Sequence, residues 1–172
     1  GMQAAFVDIG CGKNAYLYLG DLNHNKSDRA AEGNLTVGQS LVLQVAKDAM
    51  GSKGPRVTTN ITLPGRYVVL MPTVSYIGIS RKIEDEEDRE RLKSIAESVR
   101  PLEMGIIVRT VAEGKSEEDL KRDIIYLQKL WNSLIARAKC SNGSTVLYRD
   151  VDLVIRIVRD YLSDDVEKFI VD

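Results

Sequence analysis

The feature that most constrains the fold of this chain is an apolar stripe at helical spacing in its second half. The stripe lies in a segment over about 117–138 and consists of Leu120, Ile124, Leu127, Trp131, Leu134 and Ala138. Residues three and four apart share one face of an α-helix, so we predict a helix here with that face buried and Trp131 in the core. Ser116 and Asp119 have capping-box spacing just before it. A strand-like apolar run over 105–110 precedes the helix and is predicted to be a buried strand.

The first 60 residues have the short apolar runs and turn residues of β-structure. Segments 5–9 and 15–18 flank a turn rich in Gly and Asn, which predicts a hairpin. Apolar spacing ending at Val99 predicts a second helix, with the acidic cluster 84–88 in its first turns. The remaining predicted elements are extended segments at 41–46, 57–63, 67–71, 77–80 and 168–171 and a helix around 153–161. The predicted fold class is therefore α+β.

Composition limits the possible functions. The 172 residues include 24 basic and 25 acidic ones, a net charge of −1, so nucleic acid could be bound only by local patches. Cys11 and Cys140 belong to no Cys/His cluster, and His24 is the single histidine in a polar stretch predicted to be a loop. We therefore predict neither a metal site nor histidine-based catalysis. With no apolar run near the roughly 20 residues of a membrane-spanning helix, we expect a reduced cytoplasmic protein.

A phosphate-loop motif is incomplete in this chain. Gly114 and Lys115 stand between a predicted strand and a predicted helix, where backbone amides could bind phosphate. The full motif also requires a glycine five residues before Gly114, and that position is Arg109. A helix N-cap accounts for Ser116, so nucleotide binding is not predicted.

Two residue pairs are candidates for contacts with a polyanionic ligand. Arg109 and Thr110 stand where an apolar strand reaches the surface, and a guanidinium with a neighbouring hydroxyl suits a phosphate. A structural salt bridge of Arg109 is the alternative. Phe6 and Tyr16 lie on the two arms of the predicted hairpin, where exposed aromatic rings could stack on unpaired bases. The aromatic pair by itself favours an ordinary place in the barrel core for Phe6.

A series of short motifs in this chain resembles the ribonuclease E/G family of endoribonucleases. The matching segments are 1–10, 38–39, 44–45, 53–56, 67–72, 78–81, 105–110 and 159–162. The resemblance implies an S1-type OB-fold over 1–60, a 5′-sensor α/β domain over 61–153 and a piece of a ribonuclease-H-like subdomain over 154–172. It also implies that the opening strands of the OB-fold precede Gly1, so we expect a partial barrel.

The resemblance implies roles for individual residues as well. Arg109 and Thr110 would hold the 5′-terminal monophosphate of an RNA, the Val69 amide would donate to it, and Gly65 would line the adjacent base. The residues expected to contact the rest of a single-stranded RNA are Phe6, Tyr16, Lys53 and Arg56. Tyr16 stands where Phe is common in the family, and stacking should survive that change.

Catalysis in the family depends on magnesium held by aspartates of a later domain, and zinc is bound by a cysteine pair between subunits. Both features are expected downstream of Asp172, so no catalytic residue is predicted in this chain, which alone should be inactive. The parent protein is expected to be a homo-oligomeric endoribonuclease that prefers single-stranded RNA with a 5′ monophosphate. The alternative is a non-catalytic RNA-binding protein built on an OB-fold.

Overall fold

The computed structural model describes residues 3–22, 35–150, 152–162 and 166–170, which form two four-stranded sheets and three helices. This arrangement confirms the predicted α+β class. The predicted loop containing His24 lies outside the described residues. No helix in the described ranges is both long enough and apolar enough to cross a membrane.

The first sheet contains strands β1 to β4 in the order β1-β2-β4-β3. The strands are β1 (Ala4–Val7), β2 (Ala15–Tyr18), β3 (Gln44–Lys47) and β4 (Arg56–Thr58). β1 and β2 form the predicted antiparallel hairpin, β2 and β4 are parallel, and a bulge interrupts the antiparallel pairing of β3 with β4. One face of the sheet carries the side chains of Ala15, Leu17 and Val57, each fully buried. Alternate residues of these strands therefore point to the opposite, open face.

The second sheet contains strands β5 to β8 in the order β5-β6-β8-β7. The strands are β5 (Leu63–Pro64), β6 (Val68–Met71), β7 (Ile77–Ile79) and β8 (Gly105–Val108). All pairings are antiparallel except the parallel pairing of β7 with β8. Strands were predicted at 67–71, 77–80 and 105–110, and the observed β6, β7 and β8 are shorter. The single extended segment predicted at 57–63 is wrong in its middle, because the chain leaves β4 of the first sheet before it enters β5 of the second.

Two helices cover the second sheet. α1 (Glu86–Val99) begins after Asp85, whose carboxylate accepts the Asp88 amide, so the acidic cluster forms a helix N-terminus as predicted. α2 (Glu117–Cys140) begins with the predicted capping box of Ser116 and Asp119. The main core of the protein lies between this sheet and these helices and contains Val68, Leu70, Leu92, Ala96, Ile106, Val108, Leu120, Ile124 and Leu127. Trp131 packs against this core while half-buried, in agreement with its predicted place.

The last helix, α3 (Leu153–Tyr161), confirms the predicted tail helix. The strand predicted at 168–171 is wrong over residues 168–170, which have no regular secondary structure, while Val171 is outside the described ranges. A strand needs a neighbouring strand for its hydrogen bonds, and Ile170 is largely exposed rather than packed against one.

Candidate nucleic-acid interface

A row of aromatic and basic side chains crosses the open face of the first sheet. Phe6 lies opposite Tyr16, Tyr16 lies opposite Arg56, and Arg56 lies opposite Lys47. Directly opposed residues project from the same face of a sheet, so the four side chains form one row from β1 to β3. Because the buried residues of β2 and β4 alternate with members of this row, the row faces solvent.

The aromatic half of the row is open to a ligand. Phe6 is 69% exposed, and its ring centroid is 6.2 Å from that of Tyr16 with an angle of 75° between the ring planes. This is an edge-to-face pair, which holds the rings at defined angles while leaving a face of Phe6 accessible. The core position that the sequence pattern favoured for Phe6 is therefore wrong. Val7, next to it, packs toward the buried side instead.

The loop that carries Lys53 lies beside the hairpin. The Lys13 ammonium donates to the Gly51 carbonyl at 2.8 Å, and the Tyr16 amide donates to the Pro55 carbonyl at 2.8 Å. These bonds fix the loop between β3 and β4 next to β2, and Lys53 is exposed in it. Arg56 is 3.6 Å from the Asp21 carboxylate in a half-exposed ion pair, an interaction weak enough to be exchanged for a phosphate.

The loop between β5 and β6 is held in place by Asp123 of α2. Its carboxylate accepts the amides of Tyr67 and Val68 at 2.8 and 3.0 Å. A Cβ atom on Gly65 would lie 2.5–2.7 Å from the atoms of this carboxyl group. Gly65 is therefore required for space, and it is not among the glycines with positive φ.

Arg109 reaches from the end of β8 to the same loop. Its backbone amide donates to the Tyr67 carbonyl at 2.8 Å, and its Nη1 donates to the Gly65 carbonyl at 2.5 Å and to the Arg66 carbonyl at 3.1 Å. Nη1 is also 2.8 Å from Oδ1 of Asp160. Within the described ranges, Nε and Nη2 of this guanidinium have no hydrogen-bond acceptor. Arg109 thus keeps one edge of its planar fork for a ligand.

Asp160 lies between two arginines. Besides the bond from Arg109, it accepts hydrogen bonds from Arg159 Nε at 2.9 Å and Arg159 Nη2 at 3.3 Å. The Arg109 guanidinium, followed by that of Arg159, holds the pKa of this carboxyl far below its usual range. The salt bridge considered as an alternative for Arg109 therefore exists, but the two side chains remain 27% and 20% exposed. Sequence reasoning gave Arg159 and Asp160 no role, although both fall in a segment that resembles the family.

The Thr110 hydroxyl and the Val69 amide both face partners within the protein. Thr110 begins a short 3-10 turn, Thr110–Ala112, and its hydroxyl oxygen is 2.8 Å from that of Ser80. Val69 lies opposite Ile107 in the β6–β8 ladder. Hydrogen-bonded pairs alternate along an antiparallel ladder, and the Arg109 bond to Tyr67 makes Val69–Ile107 a pair of the bonded kind. The Val69 amide therefore points toward β8 rather than toward a ligand.

The incomplete phosphate loop is used for internal contacts. The Gly114 amide donates to the Asp88 carboxylate at 3.0 Å, and the Lys115 ammonium lies 5.9 Å from the centre of the Tyr67 ring. A nucleotide phosphate would have to displace Asp88 from that amide. Both groups therefore have partners within the protein, and the absence of nucleotide binding at this segment stays a prediction.

A cleft of about 280 Å³ lies between the β5–β6 loop, α2 and α3. Its lining includes Gly65, Arg66, Tyr126, Tyr148 and Arg159. Burial, followed by the nearby Asp150 carboxylate, raises the pKa of the Tyr148 phenol, which therefore stays neutral at physiological pH. Aromatic rings and guanidinium groups beside a polar loop suit a planar polar ligand such as a nucleobase.

Exposed aromatic rings bordered by basic side chains are typical of proteins that bind single-stranded nucleic acid. The family model described as the Ribonuclease E/G family matches residues 62–172. The chain belongs to the ribonuclease E/G family, as its motifs predicted.

Similarity to individual relatives covers the whole chain. The chain is 40% identical over 183 residues to Ribonuclease G of Salmonella typhimurium (strain SL1344), and the match includes 100% of this chain and 37% of the relative. It is 42% identical over 176 residues to Ribonuclease E of Nostoc sp. (strain PCC 7120 / SAG 25.82 / UTEX 2576), again with 100% of this chain and with 26% of the relative. The chain thus spans well under half the length of these relatives.

Proposed function

We propose that this chain is the RNA-binding and 5′-monophosphate-sensing part of a ribonuclease E/G-type endoribonuclease that acts on single-stranded RNA in RNA processing and decay. Family membership supports a role in RNA processing or decay, since the relatives are named ribonucleases. The observation that carries RNA binding is the solvent-facing row of Phe6, Tyr16 and Arg56 on the open face of the first sheet.

The row fits a single strand better than a duplex. Unpaired bases have free faces that can stack on Phe6, whereas the bases of a duplex are stacked on each other. Arg56 and Lys47 follow the rings along the row, and Lys53 is exposed in the adjacent loop. These cations can contact the phosphates on either side of a stacked base. The two rings and the basic side chains together provide the local patch that a chain of net charge −1 requires.

The site at Arg109 is proposed to hold the 5′-terminal phosphate. The free Nε–Nη2 edge of the guanidinium can donate two parallel hydrogen bonds to phosphate oxygens, and the Thr110 hydroxyl follows it in the chain. Arg109 and Arg159 carry two positive charges against the single negative charge of Asp160, so the cluster retains a surplus positive charge. The neighbouring cleft at Gly65 would accommodate the terminal base.

Catalysis is assigned to a part of the parent enzyme outside this chain. Among the described residues, no group of three or more His, Cys, Asp or Glu side chains is arranged to hold a metal ion. The magnesium and the zinc that the resemblance implies are proposed to bind in later parts of the parent enzyme, and the proposed role of the residues present is to bind and select RNA.

The test compares Arg109 variants of the full-length protein with two oligonucleotides that differ only in a 5′ monophosphate or a 5′ hydroxyl. Arg109→Ala should weaken binding of the phosphorylated form by about 1.5–3 kcal/mol, the range for a charge-assisted hydrogen bond, and leave the hydroxyl form nearly unchanged. Arg109→Lys should restore only part of the loss, because an ammonium lacks the planar fork.

Arg122→Ala is the matched control, since this arginine is exposed on α2 and its ion pairs among the described residues are with Glu118 and Asp119 of the same helix. It should leave both affinities unchanged. Equal losses for the two oligonucleotides in Arg109→Ala would show that Arg109 contributes to RNA binding in general and does not sense the 5′ end.

A further inference from the structure

We propose that Asp160 is a specificity-determining residue that restricts the Arg109 site to a single phosphate group by offsetting one of the two guanidinium charges. This inference rests on the proposed function of Arg109 and adds a residue to it. Its basis is the position of one carboxylate between two arginines that also hold the β5–β6 loop.

The three side chains form one connected cluster. Asp160 Oδ1 is 2.8 Å from Arg109 Nη1 and 2.9 Å from Arg159 Nε. The same two arginines donate to three successive carbonyls of the loop: Arg159 to Pro64 at 3.2 Å, and Arg109 to Gly65 and Arg66. Asp160 therefore contacts Arg109 through Nη1, on the inner side of the guanidinium, opposite the outer Nε–Nη2 edge that is left for a ligand.

The carboxylate stays ionised over the physiological range, because hydrogen bonds from Arg109 and then Arg159 keep its pKa far below the usual value. A phosphate on the outer edge of Arg109 would lie roughly 5–7 Å from it, the span of a guanidinium with a hydrogen bond on each side. Repulsion at that distance grows with the charge of the ligand. A 5′ triphosphate carries about twice the charge of a monophosphate, so Asp160 disfavours it more.

A purely mechanical role for Asp160 makes a different prediction. If it only tethers α3 to the loop, loss of Asp160 and loss of Arg159 should both loosen Arg109, and should weaken monophosphate and triphosphate binding alike. If charge balance matters, the two losses should change the preference between the two ligands in opposite directions. Asp123 and Asp150 also lie near the cluster, but they are the same in every variant and cancel in the comparison.

The experiment measures binding of three otherwise identical single-stranded oligonucleotides, with a 5′ hydroxyl, monophosphate or triphosphate, to the full-length protein in EDTA. Asp160→Asn should raise affinity for the triphosphate relative to the monophosphate by about fivefold, the scale of Coulomb repulsion at this distance near water. Arg159→Gln should lower the same ratio by a similar factor. Asp152→Asn is the matched control, because it removes one charge at the exposed start of the same helix, and should not change the ratio.

An unchanged ratio in Asp160→Asn, or a shift of both variants in the same direction, would overturn the proposal. Thermal unfolding of each variant checks that the protein is folded. If Asp160→Asn does not fold, Arg159→Gln tests the charge balance by itself. Arg109→Ala distinguishes a failure of the proposed function from a failure of the role of Asp160. If Arg109→Ala keeps the difference in affinity between the monophosphate and hydroxyl oligonucleotides, the proposed function fails. If Arg109→Ala removes that difference but Asp160→Asn leaves the ratio of triphosphate to monophosphate affinity constant, only the role of Asp160 fails.

Discussion

Phe6 and Tyr16 lie directly opposite each other on β1 and β2, with ring centroids 6.2 Å apart and an angle of 75° between the rings. The pair is on the open face of its sheet, and Arg56 is next in the same row. A large aromatic side chain exposed to water has a hydrophobic cost that a bound base would remove. This relationship is the most direct structural sign of a surface for unpaired nucleotides.

Phe6→Ala should weaken binding of single-stranded RNA by roughly 1–3 kcal/mol, the usual contribution of a base stacked on an aromatic ring. Because Phe6 is exposed, thermal stability should change little. Tyr16→Phe keeps the ring and should bind like the wild type. Phe169→Ala removes the one other phenylalanine, in the tail, and should have no effect on RNA affinity. Unfolding of Phe6→Ala, with no separate loss of affinity, would indicate a core role.

Gly65→Ala should destabilise the protein, because the added methyl group would collide with the Asp123 carboxylate that binds two amides of the loop. Overpacking of this kind costs about 1–3 kcal/mol. The measurement is urea unfolding of Gly65→Ala, Asp123→Ala and the double variant. The methyl group should cost much less when Asp123 is already alanine, and a purely additive result would contradict the steric explanation.

The Asp160 cluster predicts a pH-dependent contribution to stability. The pKa of Asp160 is lower in the folded protein than its ordinary value of 3.8, so its stabilisation is complete above that value and decreases as the pH falls below it. The unfolding temperature of the wild type should therefore exceed that of Asp160→Asn at pH 6, and the difference should shrink below about pH 4. A difference that stays constant from pH 6 to pH 3 would contradict this assignment.

A protein consisting of residues 1–172 alone should not cleave single-stranded RNA when magnesium is added. The reason is the proposal that the aspartates holding magnesium belong to a later domain of the parent enzyme, and no residue of this chain is predicted to be catalytic. The assay is a time course on a labelled oligonucleotide. Cleavage that depends on magnesium and is abolished by a substitution within these residues would place catalysis in this chain.

Local patterns predicted much of the fold. The capping box at Ser116, the stripe that continues through Trp131 and the Gly-rich hairpin turn all depend on residues near one another in sequence. The strand prediction at 168–171 was wrong because a strand also depends on residues that are distant in sequence. An apolar pattern does not reveal whether a partner strand is available, and Ile170 has none among the described residues.

The candidate site could be predicted only in part. Arg109 is recognisable because an apolar strand ends at a guanidinium, but its partner Asp160 lies 51 residues later, and no local pattern connects them. The exposure of Phe6 likewise depends on which face of the hairpin is covered, here the opposite face with Leu17, against which Leu22 and Leu41 pack. A family resemblance places such residues in a site, whereas the contacts that give them a physical role become visible only in the folded chain.

The most direct test of 5′-end sensing is the ratio of dissociation constants of the full-length wild-type protein for one single-stranded oligonucleotide carrying either a 5′ hydroxyl or a 5′ monophosphate. A charge-assisted contact of about 1.5–3 kcal/mol corresponds to a ratio of roughly 10 to 150. We expect the monophosphate form to bind more tightly within that range, and the advantage to decline as salt is added. Equal dissociation constants at low salt would contradict 5′-monophosphate sensing and leave a general single-stranded RNA-binding surface.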